Sequence, residues 1–162
     1  MDEMSELTAE DYESLEHASK VLHERGELDV SFDQMMNIWK WLVTHIESEY
    51  DEMVDEYTND LRSRDWLAAA WPLLTDHVRE GFQKELDALD SRFLAATEED
   101  TRGALRYYYH VERQEGWWWR RIPIHRSGYL ADQLSLRGMK PLEGERIDDP
   151  PRWPDGSPYL QT

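Results

Sequence analysis

No cysteine occurs among the 162 residues, which removes disulfide frameworks, thiol catalysis and every cysteine-held zinc or iron–sulfur site. No apolar run approaches the eighteen or so residues of a membrane span. The opening stretch "MDEMSELTAEDYE" has neither a positive charge nor an apolar core. It therefore reads as neither a secretory signal nor a transit peptide, and a cytoplasmic protein is expected. A chain of this length needs no metal or crosslink to fold, since a single domain can bury roughly two thirds of its unfolded surface.

Catalytic signatures are missing too. There is no G-x-S-x-G elbow, no glycine-rich phosphate loop and no H-E-x-x-H. A bundle-type di-iron site needs a carboxylate three residues before a histidine, but the residues in those places are Ser14, Lys20, Leu42, Leu74, Tyr107 and Ile122. His45 with Glu49 and His77 with Glu80 could each share a helix face. In a chain with 35 acidic residues such pairs arise by chance, so no metal or cofactor is expected, and core or surface histidines are the simpler reading.

Lysine is scarce: 4 against 14 arginines, in a chain of net charge −17. Such acidity repels nucleic acid and anionic membranes at long range. It suits a halophile's salt-rich cytoplasm, where the Debye length falls to about 3 Å at 1 M and carboxylates keep the surface hydrated. The alternative is an arginine-favouring genome combined with an acidic binding face. The charge is also segregated. Residues 1–100 carry a balance of −19, and residues 101–162 one of +2.

The acidic part reads as helix. Thr8 with Asp11 forms an amino-terminal cap, and apolar positions continue through Tyr12, Leu15 and Leu22 to a stop at Gly26. "SFDQ" sets Ser31 and Gln34 as a capping box. From there Met36, Trp39, Val43, Ile46, Tyr50, Met53 and Tyr57 alternate steps of three and four, a heptad seam that predicts one helix from Phe32 to about Leu61. Its outer face carries Glu47, Glu49, Asp51, Glu52, Asp55 and Glu56. A third helical region runs from Leu67 to Phe93, with a kink or restart at Pro72.

After Gly103 the period changes. "ALRYYYHVE" and "WWWRRIPI" are rich in β-formers and separated by Arg113, Gln114, Glu115 and Gly116, which predicts a hairpin over 104–124. Alternation sends Leu105, Tyr107, Tyr109, Val111, Trp118, Ile122 and Ile124 to one face. It sends Arg106, Tyr108, His110, Trp117, Trp119 and Arg121 to the other. Ser127 caps a short last helix ending at Gly138. Five of the seven prolines lie beyond Met139, so residues 139–162 are expected to form an extended arm, tacked down by Trp153, Tyr159 and Leu160.

The expected architecture is thus mainly α: one domain over 1–138, built as an acidic three-helix bundle with a fourth short helix and a hairpin, followed by the arm. The leading functional expectation is a small non-catalytic protein-binding module, such as an immunity protein or antitoxin, that inhibits a basic partner stoichiometrically. Glu49, Glu52, Asp55 and Glu56 would form its acidic contact face. The second is a single-stranded nucleic-acid binder using the hairpin's outer face, with Tyr108, Trp117 and Trp119 stacking on bases and Arg106 and Arg121 on phosphates. The third is an enzyme of unidentified class. No membrane partner is expected, and the heptad seam offers a route to a homodimer.

Overall fold

Helix capping follows the sequence closely. The Thr8 hydroxyl accepts from the Asp11 amide at 3.2 Å, while Asp11 Oδ2 accepts from the Thr8 amide at 2.9 Å. Ser31 and Gln34 repeat the reciprocal pattern, at 3.2 and 2.8 Å. The computed structural model describes residues 6–101, 103–107 and 111–137. They form a mainly helical chain with one short antiparallel strand pair: α1 (Ala9–Glu24), α2 (Phe32–Ser48), α3 (Val54–Ala70), α4 (Asp76–Ala96), β1 (Thr97–Glu99), β2 (Arg121–Pro123) and α5 (Gly128–Arg137). The expected arm over 139–162 lies outside the described residues. None of the described helices is long and apolar enough to cross a membrane.

Pro72 acts as expected. It sits in a 3-10 turn, Trp71–Leu73, between α3 and α4, where its missing amide costs no helical hydrogen bond. The predicted single helix from 32 to 61 is not formed. It ends at Ser48 and restarts at Val54. The physical reason lies in the charges, because a continuous helix would stack Glu52 under Glu56 and Asp51 under Asp55, like charges at a spacing that destabilises helices. Breaking the helix instead places Asp55 and Glu56 in the first turn of α3, where the helix dipole favours them. The seam still buries Met36, Trp39, Val43, Ile46, Tyr50 and Tyr57 within one chain, and of its residues only Met53 is exposed.

The chain divides into two compact units, Met1–Thr44 with Asn59–Ala95, and His45–Thr58 with Ala96–Thr162. In the first, Phe32 meets Phe82 edge-on at 4.9 Å, and Trp39 lies 4.8 Å from Phe93. Beside that pair Asp90 gathers three donors from two other helices. Trp39 Nε1 donates to Oδ1 at 3.1 Å, Arg64 Nε donates to the same oxygen at 3.0 Å, and an Arg64 terminal nitrogen donates to Oδ2 at 2.9 Å. Both side chains of this ion pair are mostly covered, and the bidentate fork leaves neither charge stranded.

The second unit contains the segment predicted to be a hairpin, and here the structure differs. Among the described residues antiparallel pairing is confined to β1 and β2, with Thr97 opposite Pro123, Glu98 opposite Ile122 and Glu99 opposite Arg121. Residues 104–107, 111–113 and 117–120 form 3-10 turns in place of strands. Successive side chains on a 3-10 helix are about 120° apart, so two neighbouring rings can turn inward together, which a strand forbids. Trp118 and Trp119 both do so, at 5% and 0% exposure, while Trp117 stays partly exposed at 38% and meets Trp118 edge-on. Trp119 is therefore a core residue and not part of an outer face.

Gly116 makes this packing possible. A Cβ built there would come within 2.3 Å of the Trp118 ring, so the glycine serves the close approach of the indole. Gly116→Ala should therefore cost about 1–3 kcal/mol by overpacking, read as a lower urea midpoint together with a changed near-ultraviolet tryptophan signal. Asp90→Ala leaves Arg64 and the Trp39 N–H without their acceptor. A loss of about 2–4 kcal/mol in urea unfolding is expected, with a smaller loss for Asp90→Asn.

Candidate functional site

The break between α2 and α3 makes a corner, built around Tyr50. The ring of Tyr50 is fully buried, 4.8 Å from His45 and edge-on to Tyr57 at 5.6 Å. Its backbone is tied at both ends: the amide donates to His125 O at 2.9 Å, and its carbonyl accepts from Ser127 N at 2.9 Å. On the far side of the corner, Gln133 Oε1 of α5 accepts from the Val54 amide at 2.8 Å, so a side chain distant in sequence caps the start of α3. Tyr57 donates its hydroxyl proton to Arg121 O at 2.7 Å. Burial, followed by the nearby Tyr50 and Asp100, pushes the Tyr57 ionisation well above its usual 10.0, so the ring stays a neutral donor.

The acidic contact face expected from sequence falls on this corner. Glu49, Asp51 and Glu52 lie in the connection, Asp55 and Glu56 open α3, and all five are exposed. Among the described residues, no lysine or arginine comes within ion-pair distance of any of them; the one cationic candidate is His45, whose Nε2 lies 3.8 Å from Asp51 Oδ1. Met53, at 44% exposure, adds an apolar contact in their midst. No group of three or more histidines and carboxylates is gathered as a metal ion would require, among the described residues.

The aromatic and arginine-rich segment does not assemble as its sequence predicts. Tyr108 and His110 lie outside the described residues, as does the side chain of Arg106. Trp119 is buried. Arg121 spends its guanidinium on Thr97, donating to Oγ1 at 2.7 Å and to the carbonyl at 2.8 Å. Arg120 donates to Gln114 O at 2.7 Å and Arg126 to Pro123 O at 2.6 Å. These cations satisfy backbone carbonyls of their own unit, which leaves Trp117 as the one outward ring shown of the expected stacking set.

A second polar cluster, within the first unit, has no local trace in the sequence because its members are some 65 positions apart. Asp11 is buried, yet its carboxylate accepts from the Thr75 hydroxyl at 2.6 Å, from the Thr8 amide at 2.9 Å and lies 2.5 Å from His77 Nδ1. The Thr75 bond, then the Thr8 amide and His77, hold the Asp11 carboxyl far below the usual carboxylate range. An aspartate on a histidine nitrogen is the orienting half of an acid–base dyad. The neighbouring hydroxyls are already committed: Ser14 donates to Asp11 O at 2.8 Å, and Thr75 is spent on Asp11 itself. The cluster thus joins the starts of α1 and α4. Spacing along the helix pairs His77 with Glu80, whereas its partner in space is Asp11.

Because the folded-state pKa of Asp11 is depressed, its contribution to stability is fully present above the unfolded value of 3.8 and lost as pH falls through lower values. Asp11→Asn should therefore lower the thermal midpoint at about pH 7. The gap to the parent should close as pH drops below about 4. A gap that stays constant down to about pH 2 would contradict the assignment. Compared with protein-family models, curated proteins and solved structures, the chain matches none.

Proposed function

We propose that the protein is a small non-catalytic binding module that meets a basic protein partner through the acidic corner formed by Glu49, Asp51, Glu52, Asp55 and Glu56. One observation carries the reading: five exposed carboxylates sit on a backbone held by Tyr50 and Val54, without a lysine or arginine beside them among the described residues. Uncompensated like charge raises the free energy of the isolated chain. A cationic partner relieves it on binding, and the tethered backbone has little ordering entropy left to lose. Such a corner steers encounter and sets specificity, while Met53 supplies apolar contact.

A stoichiometric inhibitor of the immunity-protein or antitoxin kind is the role that fits, since it requires a charged, prearranged surface and no reacting group. The nucleic-acid reading has less behind it, because two of its five residues are engaged elsewhere: Trp119 is buried and Arg121 is bonded to Thr97.

The test uses two baits, the parent chain and a variant with Glu49→Gln, Asp51→Asn, Glu52→Gln, Asp55→Asn and Glu56→Gln. From a lysate of the cells that make the protein, the parent should retain a basic protein at stoichiometric level and the variant should not. The association rate of that pair should fall about tenfold or more from low salt to about 1 M. Equal retention by both baits, or a salt-independent rate, contradicts the proposal.

A further inference from the structure

A cavity of about 70 Å³ opens within the first unit, between the segment after α1 and the neighbouring turns of α2 and α3. That is several times the space one water needs, and enough for a short branched hydrocarbon chain. Val30, Met35, Ile38 and Trp66 make its walls apolar, and Glu27 and Arg62 contribute opposite charges. The segment bearing Glu27 is fixed. Gly26 takes φ +100°, a left-handed geometry that ends α1, the Glu27 amide donates to Leu22 O at 3.0 Å, and the Glu27 carbonyl lies 3.0 Å from His23 Nδ1.

One buried donor here is unsatisfied, and two exposed charges at the rim are unpaired. Glu27 and Arg62 are both exposed, and neither makes an ion pair with the other or with any other described residue. Trp66 is buried at 3% exposure, and its indole N–H has no acceptor among the described residues. A buried donor without a partner costs about 1–3 kcal/mol, so such a group calls for an explanation. Elsewhere in the unit the corresponding donor of Trp39 is satisfied by Asp90, and that of Trp71 by Gln83.

A purely apolar occupant would leave both charges and the indole N–H unserved. A residue inside a peptide carries neither an ammonium nor a carboxylate on its backbone. The remaining small chemistry that combines a short branched chain with one positive and one negative group is a free amino acid. We propose that this cavity binds a free aliphatic α-amino acid of valine or leucine size. The side chain lies among Val30, Met35, Ile38 and Trp66, the carboxylate faces Arg62, and the ammonium faces Glu27. A carboxylate oxygen completes the indole donor of Trp66. The residues involved are separate from the acidic corner, so the two proposals stand or fall independently.

The experiment is a titration of the full-length ¹⁵N-labelled chain with L-leucine and L-valine, following the indole N–H resonance that Trp66→Phe removes. A saturable shift of that resonance is expected. Arg62→Gln and Glu27→Gln, both surface changes that leave the core intact, should each weaken binding about tenfold. Glycine, leucinamide and 4-methylpentanoate lack the side chain, the carboxylate and the ammonium respectively, and each should bind about tenfold or more weakly than leucine. The proposal is overturned if leucine and valine give no saturable shift up to about 10 mM. It is also overturned if the three analogues bind as well as leucine, or if Arg62→Gln binds like the parent. Tight binding of 4-methylpentanoate alone would replace the amino acid with a simple aliphatic carboxylate.

Discussion

The two backbone hydrogen bonds at Tyr50 are the constraint on which the proposed contact surface depends. Its amide and carbonyl are taken by His125 and Ser127, so neither can enter a helical ladder, and the chain must turn there. The turn removes an energetic conflict, because the acids that a straight helix would stack four apart are dispersed over a connection and a helix start. The buried Tyr50 ring and the Gln133 cap at Val54 fix the direction in which α3 leaves. What faces outward is carboxylate, and what faces inward is aromatic. The fold thereby turns a repulsive sequence into an ordered anionic corner.

Aspartate has a second use in this acidic chain, as an internal acceptor at the joints between elements. Asp90 takes the donors of Trp39 and Arg64, Asp11 takes Thr8, Thr75 and His77, and Asp100 accepts from the amides of Ala104 and Leu105 at 2.8 and 3.0 Å. Each accepts from two or more groups that would otherwise lack a partner, and those donors stabilise its negative charge locally. Arginine plays the complementary part in the second unit, where Arg120, Arg121 and Arg126 cover carbonyls of the chain. The apparent basic surface of residues 101–126 is to that extent internal mortar.

What could be read in the sequence was local. The capping boxes at Thr8 and Ser31, the stop at Gly26 and the restart around Pro72 each rest on residues a few positions apart, and each took the expected form. The heptad seam named the buried residues correctly apart from Met53, because periodicity reports which side faces the core. It could not report that the helix breaks, since the partners of Tyr50 lie some 75 positions further on. The crowding of five acids between 49 and 56 was the available signal. The triple tryptophan misled for a different reason. Strand alternation assumes one buried face, whereas the 3-10 turn at Trp117–Arg120 turns two consecutive rings inward against a glycine made for the contact. The pairing of His77 with Asp11 had no signal at all, because spacing along one helix pointed to Glu80.

Amide hydrogen exchange at Tyr50 and Ser127, followed residue by residue, addresses the anchored corner most directly. If the backbone there is held as described, both amides exchange as slowly as those at the centre of α2, around Trp39 and Leu42, because opening them requires opening their unit. Rapid exchange at Tyr50, or carbon chemical shifts showing unbroken helix through residues 49–53, would mean that the corner is not built. The acidic surface would then lose the order on which the proposed partner recognition rests.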